Sequence, residues 1–149
     1  MNREKIKHIL AHREPFLFID EVTALQPGKY AAGNMLVKPN EPYLEDNLTA
    51  NGREQVFPAS LLIEAMAQLG AIAVLSMPEC QGKISVLVGI DNASIYDRAR
   101  LGEKVLLEAE IIQMRGKIGK RKCLARVKDK LLAEAEILYF LASIKGSKS

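Results

Sequence analysis

Two stretches near the C-terminus alternate. Val105, Leu107, Ala109 and Ile111 oppose Glu108 and Glu110, and Ala133, Ala135 and Ile137 oppose Glu134 and Glu136. A two-residue period marks strands with one buried and one wetter face. Four β-rich runs close the chain, "KISVLVGIDNASIY", "EKVLLEAEIIQMR", "KRKCLARVKD" and "KLLAEAEILYFLASI". "MRGKIGK" and "VKDK" supply the hairpin turns between the last three. Ahead of them, "PASLLIEAMAQLGAIAVLSM" is apolar nearly all round, with Pro58 free to open a helix and Pro78 to end it. Such a helix belongs in the middle of the protein. "FLFIDEVTAL" and "PGKYAAGNMLV", divided by Pro27-Gly28, read as a further hairpin. Asn2 caps a short N-terminal helix with Ile6, Ile9 and Leu10 on one side, which Pro15 prevents from continuing. Between the first hairpin and the apolar helix, "KPNEPYLEDNLTANGREQVF" shows little periodicity and reads as one long loop.

This element order predicts an α+β protein, an antiparallel sheet wrapped round one long central apolar helix. A single domain spans 1–144, and the tail 145–149 is expected to be disordered. The sheet leaves open edges and one side of the helix uncovered, so at least a dimer is expected.

Composition narrows the function. With 149 residues, 48% of them apolar and 26% charged, one globular core is the expected outcome. A net charge of +3 gives no compositional argument for nucleic acid. Cys80, Cys123, His8 and His12 fit no metal-ligand spacing, so neither a metal nor a cofactor is expected. The start "MNREKIKHIL" lacks the apolar core of a signal peptide, and the apolar run 61–77, broken by Glu64, Gln68 and Gly70, is short for a membrane span. The expectation is a cytoplasmic protein with reduced thiols.

Glu64 is the one carboxylate in the apolar helix, with Gln68 four residues on and on the same face. Two readings stay open: a carboxylate paired in the core or reaching solvent, or a site residue. In the second, Glu64 and Gln68 are both catalytic candidates, and desolvation raises the Glu64 pKa and makes it a general acid. The helix N-terminus at Pro58, Ala59 and Ser60 is the positive end of the helix dipole, and its free N–H groups, beginning at Ala59 and Ser60, can polarise a carbonyl oxygen such as a thioester's.

"ILAHREPFLFIDEV", "VKPNEPYLEDN", "FPASLLIEAMAQ", "VGIDNASIYDRAR" and "IGKRKCLARVKDKLLAEAEI" together resemble, in order and over nearly the whole chain, the 3-hydroxyacyl-(acyl-carrier-protein) dehydratases of the FabZ type, which have the hot-dog fold. The resemblance implies dimers or trimers of dimers, a substrate tunnel at the dimer interface and a 3-hydroxyacyl chain on a phosphopantetheine arm. The family's catalytic pair is a histidine in G-H-F-P-G-x-P-x-x-P-G-x-x-x-x-E and the final glutamate. The glutamate carries over onto Glu64 and the proline onto Pro58. The histidine's place is held by Asn47 and that of the glycine after the carried-over proline by Ala59, and the stretch between Asn47 and Glu64 is three residues longer than the motif has. An asparagine amide does not titrate in a useful range, so the resemblance implies lost or altered dehydratase activity. His8, on the first helix, and His12, in a segment that is non-catalytic in the family, are set aside as replacements.

Three functions compete. One is an acyl-thioester-binding protein, taking acyl carrier protein or acyl-CoA, alone or as a hetero-oligomer with an active dehydratase. Another is an active dehydratase with a different base. The third is a thioesterase in which Glu64 activates water, with Asn47 or Asn51 positioning it. Arg98 and Arg100 are the first candidates for docking an acidic carrier, followed by Lys117, Lys120, Arg121 and Lys122.

Overall fold

The computed structural model describes residues 1–50 and 52–143; the tail expected to be disordered lies outside them. Asn2 accepts the Lys5 N–H at 3.0 Å and opens α1 (Arg3–Ile9), whose buried residue is Ile6. β1 (Glu21–Gln26) and β2 (Tyr30–Leu36) form the expected hairpin. The central helix, α2 (Ala59–Leu75), has Pro58 at its N-cap, one position earlier than expected, and ends before the short turn Pro78–Cys80. β5 (Lys83–Ile95), β6 (Lys104–Arg115), β7 (Ile118–Val127) and β8 (Lys130–Ser143) follow.

The main sheet runs β1-β2-β6-β7-β8-β5, every neighbour antiparallel. Its alternation buries Val105, Leu107 and Ala109 from β6 and Ala133, Ala135 and Ile137 from β8. These meet Leu62, Met66, Leu69, Ile72 and their neighbours on α2, buried along nearly its whole length. The sheet therefore wraps the helix, as the hydrophobic pattern requires. Gly116, at φ +59°, and Lys128, at φ +53°, make the two tight turns that set the β6, β7 and β8 registers.

Two expectations need correction. The long loop holds a second, two-stranded sheet, β3 (Glu45–Thr49) and β4 (Gly52–Val56), with Asn47 opposite Glu54. Asp46, Asn47, Leu48 and Arg53 are all exposed and Val56, at the end of β4, is buried, so too little of these strands is buried to produce alternation. The sequence signal was the turn dipeptide Asn51-Gly52. Residues 16–20, read as the start of the first strand, lie outside the sheet's strands: the Phe18 N–H and Phe16 carbonyl bond to Gln68 on α2, the Leu17 and Ile19 carbonyls to Arg3, and the Asp20 N–H to the Asn34 carbonyl.

Candidate active site

Residues 10–20 cross α2 as a strap, and Gln68 clamps them. Its Oε1 accepts the Phe18 N–H at 3.0 Å and its Nε2 donates to the Phe16 carbonyl at 2.8 Å. Gln68 is only 1% exposed, which strengthens both bonds and makes their loss costly. Arg3 reaches the same strap from α1, donating to Ile19 and Leu17 carbonyls at 3.1 Å each and to Glu14 at 2.5 Å. These bonds hold the Glu14 carboxyl down at about 2, the Arg3 hydrogen bond being the main cause. Arg13 ties back to the Leu10 and His12 carbonyls at 2.9 and 2.7 Å. Phe16, Phe18, Tyr43 and Phe57 close the strap's far end with ring contacts at centroid separations of 5.4 to 6.2 Å, edge-on except for the tilted Phe16–Tyr43 pair.

This strap places His12 over Glu64. The imidazole Nε2 lies 3.3 Å from Glu64 Oε2, with the two side chains 37% and 38% exposed. Gln68 Nε2 approaches the same oxygen, also at 3.3 Å. Together with Ser85, Leu87 and Arg121 they surround a recess of about 140 Å³. The expected direction of the Glu64 pKa is reversed: the His12 hydrogen bond holds the carboxyl below its ordinary value, outweighing desolvation, with help from Gln68 and the Arg121 charge. Glu64 is therefore an ionised carboxylate, a base rather than an acid at neutral pH.

Arg121, expected on the surface, is 1% exposed. The alternation of β7 explains it, since Arg121 shares its parity with the buried Cys123 and Ala125. Its Nη2 donates to the Ala67 carbonyl at 3.0 Å and its Nη1 to Ser85 Oγ at 3.2 Å, and the guanidinium sits 4.4 Å from the Tyr139 ring centroid. Gly70 makes the room: a Cβ there would collide with the Arg121 Nε and Cδ. Cys80 and Cys123 are buried free thiols, and burial pushes Cys123 up to about 11.

The remaining predicted residues lie elsewhere. Asn47 is exposed on β3 and borders a different recess, with Val56, Tyr96, Asp97, Arg98 and Arg100. Within one chain, then, Asn47 and Glu64 do not share a cavity. Arg98 pairs with Glu45 at 2.9 Å and Arg100 with Glu54 at 3.1 Å, so the proposed docking arginines pin the hairpin to the β5–β6 connection. Lys120 is likewise placed between Asp91 and Glu136, 3.6 Å from each. Pro58 is buried while Ala59 and Ser60 begin the first turn of α2, one turn before Glu64. Gln68, expected to be catalytic, directs its amide mainly to the strap.

Sequence reasoning set His12 aside and missed the inward Arg121. The parity of "KRKCLARV" would have found Arg121. Nothing local to "AHREPF" reveals that its histidine meets a carboxylate 52 positions away, because that contact depends on how the strap crosses the helix.

A FabA-like domain model matches residues 10–136. The chain is 40% identical over 136 residues to the 3-hydroxyacyl-(acyl-carrier-protein) dehydratase FabZ of Chloroflexus aggregans, covering 91% of this chain and 92% of that protein. To the FabZ of Bacillus cytotoxicus it is 38% identical over 145 residues, covering 97% and 99%. Among solved structures, the dehydratase heterocomplex ApeI:P from Xenorhabdus doucetiae superposes with a TM-score of 0.75 at 13% identity, covering 93% of this chain and 91% of that one, a likeness of fold. Among the described residues, no helix is long and apolar enough to cross a membrane and no cluster of His, Cys, Asp and Glu is arranged to hold a metal ion.

Proposed function

This chain belongs to the FabA-like family, alongside the FabZ dehydratases, and from that premise we propose that it binds acyl thioesters at Glu64 with altered dehydratase chemistry. The observation that carries the reading is the split between the two family positions. Glu64 is retained, ionised and open to a polar recess, while the histidine's position is an exposed asparagine on a separate hairpin. Dehydration needs a group to remove the proton beside the thioester carbonyl, and Asn47 cannot supply one.

The acyl group enters on acyl carrier protein or coenzyme A. Arg98 and Arg100 keep 45% and 41% of their side chains exposed, so an acidic carrier competes with Glu45 and Glu54 for them. A dimer completes the arrangement. β5 is an edge strand whose Val86, Leu87, Val88 and Ile90 are 40 to 59% exposed, an apolar edge suited to a second copy. Ser85 and Leu87 on that strand border the Glu64 recess, so pairing there sets the partner beside the site.

A second reading, thioester hydrolysis, is favoured by the ionised state of Glu64. A carboxylate can take a proton from water as it attacks the thioester carbonyl. One assay separates the readings: incubation with 3-hydroxybutyryl and enoyl thioesters, on carrier protein and on coenzyme A, following enoyl absorbance and thiol release together. Enoyl interconversion that falls on the order of a hundredfold or more in Glu64→Gln supports the first reading. Thiol release with the same dependence establishes hydrolysis instead. Turnover unaffected by Glu64→Gln overturns both, and silence in both channels with retained thioester binding leaves a binding or partner subunit.

A further inference from the structure

We propose that His12 is the positioning residue of Glu64: its Nε2–H donates to Oε2 and leaves Oε1 to take a proton from the bound acyl group or from water. This deepens the function proposed above and rests on that reading. It assigns work to a histidine outside the family's catalytic motif, supplied by the same chain that carries the glutamate.

Several independent features place His12 there. The strap that bears it is built, fixed by Gln68 at Phe16 and Phe18, by Arg3 at Leu17 and Ile19, and by Arg13 at the Leu10 and His12 carbonyls. A histidine carried by chance on a surface loop has no such scaffold. Its Nδ1 is buried and, among the described residues, without a hydrogen-bond partner, whereas Nε2 faces the carboxylate. Among the described residues the acceptor offered to the ring is at Nε2, so the neutral ring keeps its proton there, and the imidazolium carries one there too. Glu64 therefore meets an N–H donor in both protonation states of His12.

The other groups facing Glu64 cannot take this part. Gln68, from its own helix, brings a neutral amide already shared with the Phe16 carbonyl. Ser85, from β5, is engaged by Arg121. Arg121, from β7, is the other cation, but its guanidinium is directed to the Ala67 carbonyl, Ser85 and the Tyr139 ring. Both short contacts to Glu64, from His12 and Gln68, fall on Oε2.

The consequence is a site that needs one titrating carboxylate. The C2–H bond of the acyl group breaks, its proton passes to Oε1 and the electron pair delocalises into the thioester enolate. As C2=C3 forms and the C3–O bond breaks, the departing hydroxyl takes the same proton back and leaves as water. Atoms and charge balance with Asn47 as it stands.

The test reads Glu64 directly by carbon-13 NMR titration of its side-chain carboxyl, assigned by its disappearance in Glu64→Gln, in the native protein, His12→Ala and His12→Gln. With His12 removed, burial pushes the carboxyl up with Gln68 and Arg121 left to oppose it, so the midpoint is expected to rise in His12→Ala. His12→Gln, which restores an N–H donor at similar reach, is expected to recover part of the shift. A Glu64 midpoint that stays put in His12→Ala, with the fold intact by the same spectra, overturns the proposal. The measurement needs no turnover, so silence in the thioester assays would remove the proposed dehydratase and hydrolysis chemistry and leave this result standing. Where turnover is found, the acid limb of its pH profile is expected to move upward with the Glu64 midpoint.

Discussion

The middle of α2, beneath the strap, and the β3–β4 hairpin each present one position of the family's catalytic pair, Glu64 and Asn47, and they are held by different physics. Around Glu64, an imidazole from the strap and the buried Gln68 amide from α2 approach one carboxylate oxygen, with the charge of the buried Arg121 from β7 nearby. Around Asn47, the hairpin is fastened by Arg98–Glu45 and Arg100–Glu54, whose side chains are 30 to 51% exposed. Exposed pairs of that kind contribute about 0–1 kcal/mol, whereas stranding a buried polar group costs about 1–3 kcal/mol. The two positions thus differ in what a substitution there disturbs. At Glu64 it disturbs a packed polar network, and at position 47 it changes a solvated side chain.

The comparison breaks first at Gln68. Gln68→Leu removes the partner of the Phe18 N–H and of the Phe16 carbonyl together, with a leucine of similar bulk left facing them. The expected loss is about 2–4 kcal/mol, read as a fall in thermal midpoint of roughly 10 °C. If the midpoint barely moves, the strap is not clamped as described and His12 has no fixed place.

Gly70→Ala follows. In an ordinary helix interior the change gains about 1 kcal/mol, because alanine is the better helix former. Here the added Cβ collides with the buried Arg121 side chain, so the sign is expected to reverse, with a net loss of about 1–2 kcal/mol. Gly70→Ala combined with Arg121→Met should destabilise by less than the sum of the two single changes, a coupling measurable by denaturant unfolding.

The same contrast explains what the sequence disclosed. The wrapped sheet and its helix were legible because each element has a buried face, and burial writes a period into the residues: two in β6 and β8, none in the all-round apolar α2. Glu64 and Gln68 stood out as polar letters in an apolar run. The hairpin was not legible from periodicity, since most of its described residues are exposed and Val56 alone is buried among them, and the sequence signal for it was Asn51-Gly52. Arg121 was misread by treating "GKRK" as a charge run instead of following strand parity to Cys123 and Ala125. His12 lies beyond such reasoning, because its contact with Glu64 is made by tertiary placement of a segment that is neither helix nor strand.

A smaller effect tests the hairpin's fastening. Arg100→Ala deletes the contacts to Glu54 and to Asp97, at 3.1 and 3.5 Å. Since these pairs are partly solvated, the expected loss is about 0.5–1 kcal/mol and shrinks further in molar salt. If Arg100 also receives an acidic carrier, the Michaelis constant for carrier-bound thioester rises while that for the coenzyme A thioester does not.

The smallest expected effect is the most discriminating. Asn47→His writes the family's histidine back at an exposed strand position opposite Glu54, where stability should change by no more than about 0.5 kcal/mol. Within one chain the new imidazole borders the recess of Arg98 and Arg100 rather than that of Glu64, so dehydratase turnover is expected to stay within about threefold of the native rate. A rise of about a hundredfold, the scale of a restored general base, would mean that the hairpin of a second copy reaches across to Glu64. The two regions would then be halves of one site divided between chains. Combining Asn47→His with His12→Ala decides which histidine the carboxylate uses, since a gain that survives the loss of His12 belongs to position 47 alone.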